Sequence, residues 1–107
     1  MIRRTHTCGE CRESHAGQTV SLNGWVNRYR DHGNLIFIDV RDRFGMTQLV
    51  FDREQKGGSQ ALLDAADKLR NEDVIAVTGV VRLRASDPNP KLATGKIEVV
   101  VTALEVL

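Results

Sequence analysis

Three segments in the first half of the chain alternate apolar and polar residues, the pattern of a β-strand that buries one face. They span residues 20–30, 35–41 and 46–52, and short runs of turn-forming residues separate them. Gly24 interrupts the first segment, which predicts a bulge or a sharp coil at that point. The pattern therefore predicts three consecutive strands.

The spacing of the apolar residues changes in the second half of the chain. Leucine and alanine recur at helical intervals over 62–69, which predicts one amphipathic helix of about three turns. Ser59 is placed to cap its amino terminus. Two more strands are predicted at 73–84 and 96–104, and the loop 85–95 between them holds both prolines. The apolar residues expected in the core from these strands are Ile75, Val77, Val81, Leu83, Ile97, Val99 and Val101.

Three strands, a helix and two strands occur in the order of the oligonucleotide-binding (OB) fold. The predicted fold is all-β with one helix, a five-stranded Greek-key OB-fold barrel whose helix lies between strands 3 and 4. An SH3-like barrel has no helix of this size after its third strand. A ferredoxin-like fold needs a helix after its first strand, where only a four-residue turn is available. Residues 1–107 are expected to form one domain.

Composition is that of a globular protein, with 41% hydrophobic and 27% charged residues. The longest apolar stretch, at 74–81, is too short to span a bilayer. The amino terminus continues into polar residues and does not resemble a signal peptide. The expected compartment is the cytoplasm, and no membrane contact is expected.

Cys8 and Cys11 form a C-x-x-C pair with His6 and His15 nearby. Structural zinc usually takes four ligands, often from two such pairs, and no second pair is present. A redox pair would follow a strand of a βαβ unit, and no such strand precedes it. We therefore expect no metal site, and we interpret this segment as a turn with one cysteine facing the core.

Basic residues are grouped, although the net charge of +1 excludes a protein that binds nucleic acid by bulk charge alone. Such groups are typical of a solvated surface, or they can follow a phosphate backbone. Acidic neighbours dilute the first group. The two groups are Arg28, Arg30, Arg41 and Arg43, and Arg82, Arg84, Lys91 and Lys96.

If the aliphatic residues fill the barrel, the alternate residues face outward. An outward aromatic can stack on a base, an amide or carboxylate can read a base edge, and arginines can hold phosphates. A carboxylate repels phosphate, so Glu98 favours selection of a base with N–H donors, such as guanine. The alternative is that Phe37 packs under a loop and that Gln48 and Glu98 are solvated. The outward set contains Phe37, Gln48, Arg82, Arg84 and Glu98.

Three motifs in this sequence resemble one known family. They are GWVNR at 24–28, RDHGNLIFIDVRDRFGMTQLV at 30–50 and LATGKIEV at 92–99. Together they are similar to the N-terminal domain of bacterial-type aspartyl-tRNA synthetases, and the similarity extends from residue 4 to residue 107. The resemblance implies an OB-fold that binds the anticodon of tRNA(Asp).

By this resemblance, Phe37 stacks on the central uracil of the anticodon and Gln48 hydrogen-bonds it. Glu98 reads the first base, guanine or its queuine derivative, and Asn89 contacts the third base, cytosine. His32 occupies a turn position that is often Leu in enzymes strict for tRNA(Asp) and His in some that also charge tRNA(Asn). The basic residues implied to contact the stem-loop are Arg30, Arg82 and Arg84.

The chain carries no catalytic motif, and the class II signature motifs are absent from it. We therefore expect a non-catalytic binding domain, without a cofactor of its own, from a larger aspartate–tRNA ligase. The resemblance implies that this parent enzyme uses ATP and magnesium in its catalytic domain and forms a homodimer. The expected partner is the anticodon stem-loop of tRNA(Asp), with tRNA(Asn) as a further candidate.

Two alternatives remain open from sequence. One is the anticodon domain of a sister synthetase, for asparagine or lysine, which shares the fold and the stacking aromatic. The other is a free-standing OB protein that binds single strands without sequence preference.

Overall fold

The computed structural model describes residues 2–52, 60–84 and 88–107. Its five strands close into a barrel in the order β1-β2-β3-β5-β4. The strand β3 runs parallel to β5, and the other neighbouring pairs are antiparallel. The predicted OB-fold barrel is confirmed, with its helix between the third and fourth strands. The elements are β1 (Thr19–Asp31), β2 (Leu35–Asp42), β3 (Gly45–Asp52), α1 (Gln60–Asp67), β4 (Val74–Leu83) and β5 (Ile97–Val106), preceded by a single 3₁₀ turn (Glu13–His15).

The long strand β1 belongs to both halves of the barrel. Residues 19–25 pair with β4, and residues 25–31 pair with β2. A bulge shifts the register with β2 between Val26 and Arg28, so the bulge predicted at Gly24 lies further along the strand, while a sharp coil at Gly24 stays a prediction. Glycine is required at position 24 for another reason: an added Cβ would lie 2.4 Å from the carbonyl oxygen of Arg41. The two strands approach too closely there for any side chain.

The inward residues of all five strands form one apolar core, led in size by Phe51, Leu22 and Ile36. The helix α1 adds Leu63 and Ala66 to this core. With eight residues it has about two turns, shorter than predicted. Hydrogen-bonded turns continue the chain after the helix and keep Leu69 buried. The predicted cap, Ser59, lies outside the described residues.

Leu83 is 55% exposed, so its predicted place in the core was wrong. Pairing between β4 and β1 starts at Val80 and Thr19, so the last residues of β4 extend beyond the start of the neighbouring strand. Leu83 is the last residue of β4 and lies beyond the part of β4 that β1 covers. Alternation within one strand cannot reveal where the neighbouring strand begins.

The amino-terminal segment packs both cysteines against the barrel, so the predicted core cysteine is confirmed and a second one is buried beside it. Burial raises the pKa of both thiols, and the charge of Asp42 adds to the rise at Cys8. The Cys8 N–H donates to Asp42 Oδ2 at 2.9 Å, and Thr47 Oγ1 donates to the Cys8 carbonyl at 2.6 Å. Both thiols are free, and the described residues contain no His/Cys/Asp/Glu group of three or more that could hold a metal. These cysteines fill space in the core.

In the described part of the chain, no helix has both the length and the apolar character needed to cross a membrane.

Candidate nucleic-acid interface

Pairing between strands places five predicted site residues in a row on the outer surface of the barrel. Phe37 of β2 pairs with Arg30 of β1. Two residues further along β2, Asp39 pairs with Gln48 of β3. The parallel contact of β3 with β5 places Gln48 beside Glu98, and Glu98 pairs with Arg82 of β4. The row therefore crosses the whole sheet, so its geometry depends on the register of every strand.

Hydrogen bonds connect this row from end to end, and we call the linked side chains of Asp39, Arg30, Gln48, Glu98 and Arg82 the polar row. Arg30 Nη2 donates to Asp39 Oδ1 at 3.1 Å and to Gln48 Oε1 at 3.2 Å. Gln48 Nε2 donates to Glu98 Oε1 at 2.9 Å. Arg82 Nε donates to the second carboxylate oxygen of Glu98 at 2.7 Å. Each polar side chain is thus held in one orientation by the next.

Gln48 and Glu98 are 3% and 1% exposed, so the alternative that they are solvated is wrong. A buried carboxylate is costly unless it is paired and hydrogen-bonded. Arg82 supplies that pairing to Glu98, and its own side chain is 40% exposed. The negative charge of Glu98 is therefore buried below a cation that solvent still reaches.

Phe37 is half-buried at one end of the polar row. The guanidinium carbon of Arg30 lies 5.5 Å from the centroid of its ring, within the range of a cation–π contact. The ring of His32 meets it edge-on, with centroids 5.3 Å apart. The turn between β1 and β2 therefore touches the aromatic ring that the sequence marks for base stacking. His32 itself is exposed.

Arg84 directly follows Leu83, the last residue of β4. Its Nε donates to the Ile97 carbonyl at 3.1 Å. Burial lowers the pKa of the Arg84 guanidinium, while the charges of Asp39 and Glu98 oppose that change and that of Arg30 adds to it. Three charged residues of the polar row thus act on the Arg84 guanidinium, although burial has the largest effect on its pKa.

The hydrogen bonds recorded for Asn89 in the described part of the chain stay within its own loop. Its Oδ1 accepts from the Lys91 N–H at 3.0 Å, and its backbone pairs with Gly95 at 2.9 Å. The hydroxyl of Thr94 donates to the carbonyl of Met46, which attaches this loop to β3. Among the described residues, the hydrogen bonds that link the strand residues of the site do not extend to Asn89.

Asp39 belongs to the site and was missed from sequence as a site residue, because there it only diluted the basic group. Alternation along β2 places it on the side of Phe37, and this signal was available. The partner of Asp39 could not be predicted from sequence, because the bulge in β1 sets the register that brings Arg30 opposite β2. The Nε–H of Arg30 is buried and has no acceptor among the described residues.

The two groups of basic residues in the sequence are not the groups that lie together in the folded barrel. Arg30 from the first group is linked through Gln48 and Glu98 to Arg82 from the second. Arg41 and Arg43 lie at the far end of β2, and Lys96 pairs with Glu13 at 3.3 Å. The face around the polar row therefore combines three arginines with two carboxylates.

Comparison with known proteins agrees with this architecture. The tRNA anticodon family model, described as an OB-fold nucleic acid binding domain, matches residues 20–107. An aspartate–tRNA(Asp/Asn) ligase of Acidobacterium capsulatum is 52% identical over 106 residues, which are 98% of this chain and 17% of that protein. The enzyme of the same name from Corynebacterium glutamicum is 53% identical over 105 residues, 97% of this chain and 16% of its own length. The chain thus spans about a sixth of the length of these relatives.

Solved structures share the fold. Asparaginyl-tRNA synthetase from Pyrococcus horikoshii superposes with a TM-score of 0.81 at 30% identity, over 100% of this chain and 23% of that one. An OBody bound to hen egg-white lysozyme has a TM-score of 0.86 at 21% identity, covering 100% of this chain and 95% of its own, and supports the fold alone. Because the family model covers most of the chain and the barrel carries the expected topology, this protein belongs to the family of OB-fold nucleic acid binding domains described by the tRNA anticodon model.

Proposed function

We propose that this chain is the anticodon-binding domain of an aspartate–tRNA ligase and that it recognises the anticodon loop of tRNA(Asp) and of tRNA(Asn). The observation that carries the proposal is the buried Gln48–Glu98 pair beside the half-buried Phe37 ring, on the outer face of an OB barrel. A binder without sequence preference gains nothing from a buried carboxylate on its nucleic-acid face. The aspartate–tRNA(Asp/Asn) ligases at about half identity support the same assignment.

Phe37 supplies the stacking surface. Base–aromatic stacking contributes ~1–3 kcal/mol per base. Arg30 and His32 contact the ring and hold it in place, so little side-chain entropy remains to be lost when a base arrives. In our proposal the central base of the anticodon, uracil, stacks on Phe37 and hydrogen-bonds Gln48.

The polar row orients the groups that read base edges. The Gln48 amide donates one hydrogen to Glu98 and accepts one bond from Arg30, which leaves one N–H and one lone pair for a base. Each Glu98 oxygen likewise keeps acceptor capacity beyond its bond inside the protein. Because guanine presents N–H donors, the Glu98 carboxylate suits guanine at the first anticodon position.

The third base separates the two tRNAs, since cytosine carries an amino donor where uracil carries a carbonyl acceptor. The residues placed to sense it, Asn89 and His32, lie in loops. We infer a relaxed reading at this position, because His32 stands at the turn that contacts Phe37 and because the relatives are named for both tRNAs.

In this proposal the full-length protein joins aspartate to tRNA with ATP and magnesium in a domain outside this chain, and forms a homodimer. The relatives are about six times as long as the matched region, which leaves room for such a domain. The chemistry of this chain itself is binding alone.

The decisive experiment compares three RNA stem-loops of equal length and charge, carrying the tRNA(Asp) loop, the tRNA(Asn) loop and a scrambled loop. Purified protein should bind the first two tightly and the scrambled loop at least tenfold more weakly. Equal binding of all three would show a binder without sequence preference and would reject the proposal.

A second candidate function is the anticodon domain of an asparaginyl enzyme. The 30% identity and TM-score of 0.81 to the asparaginyl-tRNA synthetase favour it. Binding of the tRNA(Asn) loop with strong rejection of the tRNA(Asp) loop would support this candidate over the first.

A further inference from the structure

A second cleft lies at the end of the barrel where β2 turns into β3. Its volume is about 440 Å³, and it is lined by Trp25, Asn27 and the turn residues 41–45. Trp25 is 38% exposed and Phe44 is 53% exposed, so two aromatic side chains meet solvent at one site. No residue of this cleft belongs to the polar row.

The charge facing this cleft is positive. Arg41 and Arg43 are exposed, and the guanidinium carbon of Arg43 lies 4.8 Å from the centroid of the Phe44 ring. The acidic residue between the arginines, Asp42, directs its oxygens at backbone N–H groups. Oδ2 accepts from Cys8 at 2.9 Å, and Oδ1 accepts from Phe44 at 2.8 Å and Gly45 at 3.1 Å. The Asp42 carboxylate is therefore engaged by three backbone N–H groups.

The amino-terminal segment holds this turn in place. Gly9 packs so closely that an added Cβ would lie 2.2 Å from the carbonyl oxygen of Phe44. The Thr47 hydroxyl adds its bond to the carbonyl of Cys8. Phe44 thus projects from an anchored turn, which lowers the entropy lost when a ligand stacks on it.

The cleft continues the face that carries the first site. Residues at every second position of β2 point the same way, so Phe37, Asp39 and Arg41 share one side of the strand. Arg41 lies four positions after Phe37, a distance of ~13 Å along a strand. An RNA strand bound at Phe37 can therefore extend along β2 into the cleft.

We propose that this cleft binds an unpaired base of the RNA loop that flanks the anticodon, stacked on Trp25 and Phe44, with Arg41 and Arg43 on its phosphates. Exposed aromatics interleaved with arginines are the composition of single-strand binding surfaces. The inference rests on the proposed function, because the ligand is a further part of the same RNA. It adds contacts that do not depend on the anticodon sequence.

Trp25 is the only tryptophan of the chain, so its fluorescence reports on this cleft directly. The experiment titrates the protein with the tRNA(Asp) stem-loop and reads Trp25 emission together with the anisotropy of labelled RNA. Both signals should saturate with the same midpoint, because a base stacked on the indole quenches its fluorescence.

Phe44→Ala should weaken binding of the stem-loop by about 5- to 150-fold, the range for loss of one stacked base. Val106→Ala is the matched control, since Val106 is a 55% exposed apolar residue outside both sites, and its binding should equal that of the unaltered protein.

Saturating anisotropy with unchanged Trp25 emission, and normal binding by Phe44→Ala, would overturn the inference. The proposed function would survive that result as long as Phe37→Ala weakens binding. Absence of stem-loop binding in both signals would reject the inference and the proposed function together.

Discussion

Glu98 and Gln48 lie 50 positions apart in the chain, yet the side-chain amide of Gln48 donates a 2.9 Å hydrogen bond to the Glu98 carboxylate. The parallel pairing of β3 and β5 brings them together on the outer surface of the barrel. Arg82 completes the pairing of the carboxylate at 2.7 Å. A buried charged unit therefore sits where an OB fold contacts its ligand, and it links the stability of the barrel to base recognition.

Removing Arg82 should destabilise the fold. Arg82→Leu leaves the buried Glu98 carboxylate without its cation, and we expect a loss of about 1–3 kcal/mol in the free energy of unfolding. This is below the cost of breaking a fully buried pair, since solvent reaches Arg82. The second substitution Glu98→Gln removes the buried charge, so the double variant should regain most of the lost free energy of unfolding. A urea titration measures this. The exposed Arg28→Leu serves as the control, and an equal loss there would remove the special role of the pair.

Substituting Glu98 alone should change base preference more than affinity. Glu98→Gln keeps the size of the side chain but replaces a charged acceptor, and hydrogen bonds to charged groups contribute ~1.5–3 kcal/mol. Discrimination for guanine at the first anticodon position should fall by about that amount. Four stem-loops that differ only at this base provide the measurement. Retention of the full preference for guanine would place its recognition elsewhere.

Phe37→Ala should weaken stem-loop binding by ~1–3 kcal/mol and leave the fold intact, because the ring lies on the outer face. Phe51→Ala is the contrasting variant. Phe51 is 0% exposed, and its truncation should cost ~3–5 kcal/mol of stability. Thermal unfolding and RNA affinity measured on both variants separate the two roles. A Phe37 variant that unfolds, while its folded fraction binds normally, would assign this ring to the core.

Arg30, Arg82 and Arg84 should govern the salt dependence of binding. If each contacts a phosphate, neutralising it should lower the slope of log affinity against log salt by roughly 0.7–0.9. Arg84 should change this slope most, because Arg30 and Arg82 are each already bonded to a carboxylate of the polar row. Affinity is measured from low to moderate salt for Arg30→Gln, Arg82→Gln and Arg84→Gln. Parallel lines for all three variants and the unaltered protein would contradict phosphate contacts on this face.

His32 should set the balance between the two tRNAs. Its ring rests edge-on against Phe37, so His32→Leu alters the packing of the stacking residue from the loop side. We expect the unaltered protein to bind both stem-loops within about tenfold, and the variant to favour the tRNA(Asp) loop by a further ~1–3 kcal/mol. Strong preference for the tRNA(Asp) loop before substitution would exclude the relaxed reading, whatever the variant does.

Alternation of residues along single strands was enough to predict the barrel and the outward face. It placed Phe37, Gln48 and Glu98 together because each lies opposite the aliphatic residues of its own strand. It did not predict the burial of Gln48 and Glu98, since the side chains of Arg30 and Arg82 cover them from other strands.

Features that depend on a neighbouring strand were the ones that sequence could not locate. The bulge near Val26 depends on how β1 pairs with β2. The exposure of Leu83 depends on where β1 begins beside β4. The partnership of Asp39 with Arg30 depends on the same register. A single sequence contains the side chains of each strand but not the alignment between strands.

The division of the site between strands and loops has an evolutionary consequence. Phe37, Gln48 and Glu98 sit on paired strands, where a change of backbone would disturb the whole barrel. His32 and Asn89 lie between strands, where sequence can drift at little cost in stability. Under the proposed function, the residues that recognise the first two anticodon bases are constrained by the fold. The residues that recognise the third base, which differs between the two tRNAs, are free to vary. A lineage can then narrow or widen the set of tRNAs it charges by altering one turn.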